Sequence, residues 1–205
     1  MCYSEAMEKE KFDWREFLRF GLVALIVTLS IRMWIADPFI VSGASMVPTF
    51  ENGDYLIIDQ LSYRLGTPQR NDVVVFLYPL DPKSSPERSF VAKIFDPGKY
   101  FIKRIIGMPG ETVDIKGNTV IIKNDTHKEG FSLNEPYVKN TANNDMHVEL
   151  AGDEYFVMGD NRGGSSDSRS WGPVKREFLT GRALLRLLPV SKIGAFPGHY
   201  KQDKE

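Results

Sequence analysis

Tyr100-Phe101-Ile102-Lys103-Arg104-Ile105-Ile106-Gly107, running directly into Met108-Pro109-Gly110, is a stretch of aromatic and β-branched residues stopped by turn formers. It reads as a strand. Side chains alternate along a strand, so Lys103 shares a face with Phe101 and Ile105. That face is open to two readings: a solvated surface that the lysine caps, or a buried one that holds an amine between large apolar groups. Outward from this strand the same pattern repeats. Tyr55–Asp59 and Val73–Tyr78 precede it, closed by Gly66-Thr67-Pro68 and Pro79. Val113–Ile115 and Thr119–Ile122 follow as a hairpin about Lys116-Gly117-Asn118, then Glu154–Met158, a short helix near Lys175–Phe178, and a last strand over Gly181–Pro189. Many short strands divided by turns define a mostly β body, without internal repeats.

Composition narrows the function. The 205 residues suffice for one domain with a small insertion, and 42% hydrophobic content supplies a core. A net charge of −1 gives no reason to expect a nucleic-acid partner. Cys2 stands alone, which excludes an internal disulfide, and His127, His147 and His199 are scattered without ligand spacing. No metal or cofactor is expected.

Residues 1–16 carry both charge signs and read as a solvated lead-in. From Phe17 to Ala36 the chain is largely apolar, broken by Arg19 and Arg32. A buried core helix would need a polar face, which the run lacks. A cleaved leader would need a small residue where Trp34 stands in Trp34-Ile35-Ala36. A membrane anchor over 17–36 remains, with both arginines reaching for opposite interfaces and Trp34 at a boundary. Lys9, Lys11, Arg15 and Arg19 precede it, and no basic residue lies between Arg32 and Arg64, so the N-terminus faces the cytoplasm. Residues 193–205 read as a polar tail, too short for a second anchor.

Beyond the anchor lies Ser42-Gly43-Ala44-Ser45-Met46-Val47-Pro48-Thr49, whose small residues leave the Ser45 hydroxyl approachable. Such a loop is by itself more often only a turn. A serine needs a base to become a nucleophile, and no histidine occupies a triad context. A lysine serves only if burial lowers its pKa from about 10.4. Lys103 has the required neighbours. A third stretch, Gly159-Asp160-Asn161-Arg162-Gly163-Gly164-Ser165-Ser166-Asp167-Ser168-Arg169, is rich in side chains that build tight turns.

Together with the Asp72–Phe76 strand and the apolar segment, these three stretches, in this order, resemble the type I signal peptidases (leader peptidases), membrane-bound serine proteases with a Ser-Lys dyad. The resemblance implies an N-terminal transmembrane helix followed by a β-sheet catalytic domain over 37–112 and 151–192, with a small cap inserted at 113–150. It implies removal of signal peptides from exported preproteins after Ala-x-Ala-like sites, through an acyl-enzyme, at the outer face of a bacterial plasma membrane. Preprotein signal peptides, the lipid bilayer and the protein-export machinery are the partners it implies. Ser45 is the expected nucleophile and Lys103 the expected base. Gly43 stands where some relatives place a second oxyanion donor, leaving Ser42 as a weaker candidate. Ser165 is expected to orient the lysine amine, and Asp167 with Arg169 to form an ion pair near the dyad that Arg104 joins. Phe39, Val41, Met46, Phe50 and Ile102 are expected to line the substrate pockets, although residues of this kind are more often core. Two other readings are a self-cleaving Ser-Lys repressor, which would need a DNA-binding helix pair ahead of the β domain, and an inactive anchored β module.

Overall fold

A computed structural model describes residues 13–84, 98–140, 142 and 145–200. The chain begins with helix α1 (Trp14–Trp34), then strands β1 (Ala36–Ile40) and β2 (Tyr55–Asp59), helix α2 (Leu61–Leu65), and strands β3 (Val73–Leu77) and β4 (Tyr100–Gly107). Next come β5 (Thr112–Lys116), β6 (Thr119–Lys123), β7 (Phe131–Ser132), β8 (Met146–Glu149) and β9 (Glu154–Met158). Helix α3 (Ser168–Trp171), β10 (Val174–Lys175), β11 (Leu179–Leu188) and β12 (Gly194–Ala195) complete the described elements.

Two antiparallel sheets form the body. One has eight strands in the order β1-β2-β11-β3-β4-β9-β10, with β12 added along β11; the other has four, ordered β7-β6-β5-β8. The long β11 lies between β2 and β3 and changes register on both sides. Gly181 sits at the shift opposite β3, and a Cβ there would stand 2.4 Å from the Asp59 carbonyl oxygen.

Strand β4 ties the molecule together. Ile102 enters a core with Met46, Phe50, Leu56 and Val75; Ile105 enters another with Val74, Phe76 and Val157; Ile106 enters a third with Val113, Ile122 and Phe156. All six of its residues from Ile102 to Gly107 are buried. The solvated-face reading of Lys103 is thereby overturned: the residue is 4% exposed.

Several elements differ from expectation. The polar stretch 124–150 contributes β7 and β8, since the weak alternation of Met146 and Val148 is enough once each lies opposite Ile115 and Val113. The helix near Lys175–Phe178 is one 3-10 turn, Arg176–Phe178. The tail, read only as polar, pairs at Gly194–Ala195 with β11 and brings the Gly198 carbonyl to Arg104. The stretch 82–97, polar and proline-rich with Phe90-Val91-Ala92 as its apolar interior, reads from sequence as an exposed hairpin or loop; its residues 85–97 lie outside the described residues, as do 1–12 and 201–205.

Helix α1 realises the apolar segment. Its large side chains from Trp14 to Leu29 point outward, Phe20 being 77% exposed. No helix among the described residues is long and apolar enough to cross a membrane. The stretch free of charge is confined to Phe20–Ile31, between Arg19 and Arg32.

Candidate active site

The Ser45 turn is built by its own ends. Val41 N–H donates to Asp54 O and Gly53 N–H to Val41 O, both at 2.9 Å, which closes the chain around residues 42–52. Gly43, at φ +96°, makes the reversal, and its N–H donates to Asn52 Oδ1 (2.9 Å). Met46 and Phe50 then plunge into the core at 1% and 0% exposure, which holds the turn against the sheet. From across the molecule, Asn161 grips the same turn twice. Its backbone N–H donates to Ser45 O and its side-chain Nδ2 to Ala44 O, each at 3.0 Å.

Lys103 Nζ lies 2.8 Å from Ser45 Oγ and donates to Ile102 O at 2.9 Å. Residues 58 apart in sequence meet because β4 runs beside the turn. Burial pushes the lysine pKa down to about 8, against the opposing pull of Asp167 and Asp160. Phe101, the neighbour on the same face, has its ring centroid 5.1 Å from Nζ. An amine with such a pKa is partly neutral near pH 7–8 and can accept a hydroxyl proton at this separation.

The glycine- and serine-rich stretch forms the far wall. Asp167 caps α3 and pairs with Arg169 (2.8 Å), while its Oδ2 accepts from Gly159 N–H (3.0 Å). Arg104 does not join that pair. It is fully buried and grips Asp160 with Nε and Nη2 at 2.8 and 2.6 Å. Its side chain leaves the opposite face of β4 from Lys103, which separates it from Asp167. Asp160 in turn accepts from Thr49 Oγ1, so the arginine braces the exit of the serine turn. Ser165 Oγ is buried but has no hydrogen-bond partner among the described residues; it packs on Gly159, where a Cβ would meet it at 2.3 Å and Ser45 O at 2.4 Å.

A cleft of about 260 Å³ opens over the serine, lined by Phe39, Ile40, Ser42–Ser45, Tyr100–Lys103, Gly164 and Ser166. Of the five expected pocket residues, Phe39 and Ile102 face it. Val41, Met46 and Phe50 lie in the core beneath, because their apolar side chains anchor the turn that carries Ser45. Sequence marked Asp160 and Asn161 only as builders of tight turns, and did not single out Thr49 or Arg162. Arg162 forms an ion pair with Glu135, joining the wall to the segment after β7, and also donates to Gly159 O. Asp160 and Arg162 each stand beside a glycine, as polar residues of surface loops do, and Thr49 and Asn161 carry no such local signal.

A buried lysine amine against an approachable serine hydroxyl at the foot of a cleft is the constellation of a serine hydrolase. A sequence model described as signal peptidase, peptidase S26, matches residues 14–188, and the chain belongs to that family of serine endopeptidases. It is 37% identical to a probable signal peptidase I-2 of Synechocystis over 88% of this chain and 76% of the relative. It is 35% identical to a signal peptidase I of Leptolyngbya laminosa over 84% and 78%. A crystal structure of a signal peptidase I from Enterococcus faecalis V583 is 31% identical, covering 57% of this chain and 96% of that one, with a TM-score of 0.40.

Proposed function

We propose that the protein is a membrane-anchored endopeptidase that removes signal peptides from exported preproteins, with Ser45 as nucleophile and Lys103 as general base. The observation that carries this reading is the 2.8 Å approach of Lys103 Nζ to Ser45 Oγ in an apolar, buried setting. A neutral Lys103 takes the Ser45 proton as Oγ attacks the scissile carbonyl. The protonated amine then gives that proton to the departing amine of the mature protein, leaving the signal peptide esterified to Ser45. Lys103 next deprotonates a water, which attacks the ester; the signal peptide leaves as a carboxylate product and Oγ regains a proton.

The oxyanion needs fixed donors. Ser45 N–H supports one, since it makes no hydrogen bond to another described residue. Gly43 N–H is occupied by Asn52, so Ser42, which lines the cleft, is the better second candidate. The amine is held by Ile102 O, and Ser165 Oγ, expected to orient it, makes no hydrogen bond to it among the described residues. The Asp167–Arg169 pair sets the wall that carries Ser165. Small residues at P1 and P3 suit the shallow cleft between Phe39 and Ile102, and an extended substrate would lie against the β1 and β4 edges.

The anchor reading rests on α1. At about 1.5 Å per residue its length is about 30 Å, a hydrocarbon thickness. The basic lead-in then places the N-terminus in the cytoplasm and the body outside. The test is cleavage of a preprotein bearing an Ala-x-Ala site by detergent-solubilised protein, with the cut mapped by mass spectrometry. A single cut after the second alanine is expected, abolished in folded Ser45→Ala and in Lys103→Met. Retained cutting by Lys103→Met would overturn the dyad.

A further inference from the structure

Arg104 is the largest fully buried side chain, and its guanidinium is completed by a part of the chain far from the site. Nη1 donates to Asn71 O at 3.0 Å and to Gly198 O at 2.6 Å. The segment that brings Gly198 there is well tethered. Gly194–Ala195 pairs with β11, Phe196 N–H donates to Leu184 O (2.7 Å), and His199 N–H donates to Phe196 O (3.0 Å) to close a turn. Tyr200 then meets the ring of Tyr137, whose face covers the Arg104 guanidinium at 3.9 Å.

Gly198 sits at φ +75°, and a Cβ on it would stand 2.7 Å from Thr49 Cγ2 and 3.2 Å from both Phe50 Cε2 and Val73 Cγ2. Thr49 and Phe50 end the turn that carries Ser45. The same backbone position therefore does two things: its carbonyl completes Arg104, which holds Asp160 and through it Thr49 Oγ1, and its missing side chain makes room for Thr49 itself.

We propose that the segment Gly194–Tyr200 is a strap that positions the Ser45 turn for reaction, with Gly198 as its positioning residue. This rests on the reading of Ser45 as nucleophile. The strap touches neither Lys103 nor the cleft, so its loss should act on the placement of Oγ and not on the affinity for substrate. Displacement of a nucleophile by a fraction of an ångström is enough to slow the chemical step on the order of tenfold or more.

The experiment compares the full chain with Gly198→Ala, with Gly198→Ala/Thr49→Ser, and with a chain ended after Pro197, which removes the carbonyl without adding a clash. Preprotein cleavage and amide hydrogen exchange are both read. The reporter is Asn161 N–H, bonded to Ser45 O, and the control is Ile105 N–H, bonded to Asp72 O in the sheet. In Gly198→Ala and in the shortened chain, kcat is expected to fall about tenfold with KM held within about twofold. Asn161 should exchange about tenfold faster while Ile105 is unchanged, and Thr49→Ser, which deletes the methyl nearest the new Cβ, should recover part of both readings, the strain of alanine at φ +75° remaining. Unchanged Asn161 exchange in both single changes, or faster exchange at Ile105 to the same degree, would overturn the strap. So would a Gly198→Ala defect that Thr49→Ser does not relieve. If the full chain cleaves nothing while Asn161 responds and recovers as expected, the strap stands and the nucleophile assignment falls.

Discussion

Lys103 carries a cost that the proposed base role would explain. Its folded pKa, about 8, lies below the ordinary lysine value, so the unfolded chain binds more protons than the folded one between about pH 8 and 10.4. Stability conferred at this position therefore rises with pH through that window and is lowest below it, where folding must bury an ammonium. Lys103→Met removes the penalty. At pH 7 it is expected to unfold at a higher temperature or urea concentration than the parent, and the difference should close as pH approaches 10. Activity should move in the same direction as parent stability: kcat/KM rises through an apparent pKa near 8, because only the neutral amine accepts the Ser45 proton. Urea midpoints for both proteins over this range check the linkage, and a parent advantage at pH 7 would contradict it. Ser45 and Lys103 were picked out in sequence through the family resemblance. Taken alone, the small residues about Ser45 read as a turn and the alternation about Lys103 left its face open; the structure brings the two side chains within 2.8 Å. The role of Arg104 was not legible. Sequence places it next to the lysine, yet alternation sends it to the other face, where its partner is Asp160 and not Asp167.

Strand β4 explains why a charged pair survives burial. Its eight residues feed three cores, so the backbone at Lys103 and Arg104 is held regardless of what either side chain costs. The strand's end is also where the two sheets are joined. Gly107 is packed so closely that a Cβ would stand 2.5 Å from Val113 Cγ2, 2.7 Å from Leu150 Cδ1 and 3.0 Å from Phe156 Cβ. Val113 comes from β5 of the smaller sheet and Phe156 from β9 of the larger, and all three are packed in one buried core between them. Gly107→Ala is expected to destabilise by about 1–3 kcal/mol through overpacking, measured as a lower urea midpoint with an unchanged slope. Val113→Ala in the same chain should return part of the loss, since it removes the nearest methyl. An unaltered midpoint would mean that the sheets slide apart freely at this junction. Sequence readily marked β4, whose apolar run is dense, and missed β7 and β8, whose short segments become strands only through pairing with β6 and β5.

At the scale of the whole molecule, a compact two-sheet body is joined to a helix that hardly touches it. The mostly β character was readable because turn formers punctuate the chain at nearly every strand end. The inward return of residues 194–200 was not, because its hold on Arg104 comes from a backbone carbonyl, which no side-chain pattern announces. The helix poses a separate question of what covers it. Its apolar side chains face outward on every side from Trp14 to Leu29, and its principal contact with the body is at the junction with β1. Just past the helix, Ile35 O accepts from Gln60 N–H at 3.1 Å, so the sheet begins to hold the chain there. A chain that starts at Ile35 keeps that bond and loses only the helix. It is expected to remain folded without detergent, to unfold at the same urea concentration as the full chain within about 0.5 kcal/mol, and to cleave a water-soluble peptide substrate. The full chain should float with liposomes in a density gradient, and the shortened one should stay at the bottom. If the shortened chain also floats, the body itself binds lipid and α1 is not the sole anchor. If it unfolds instead, the helix packs on the body more firmly than its outward-facing side chains imply, and the division of labour between anchor and enzyme fails.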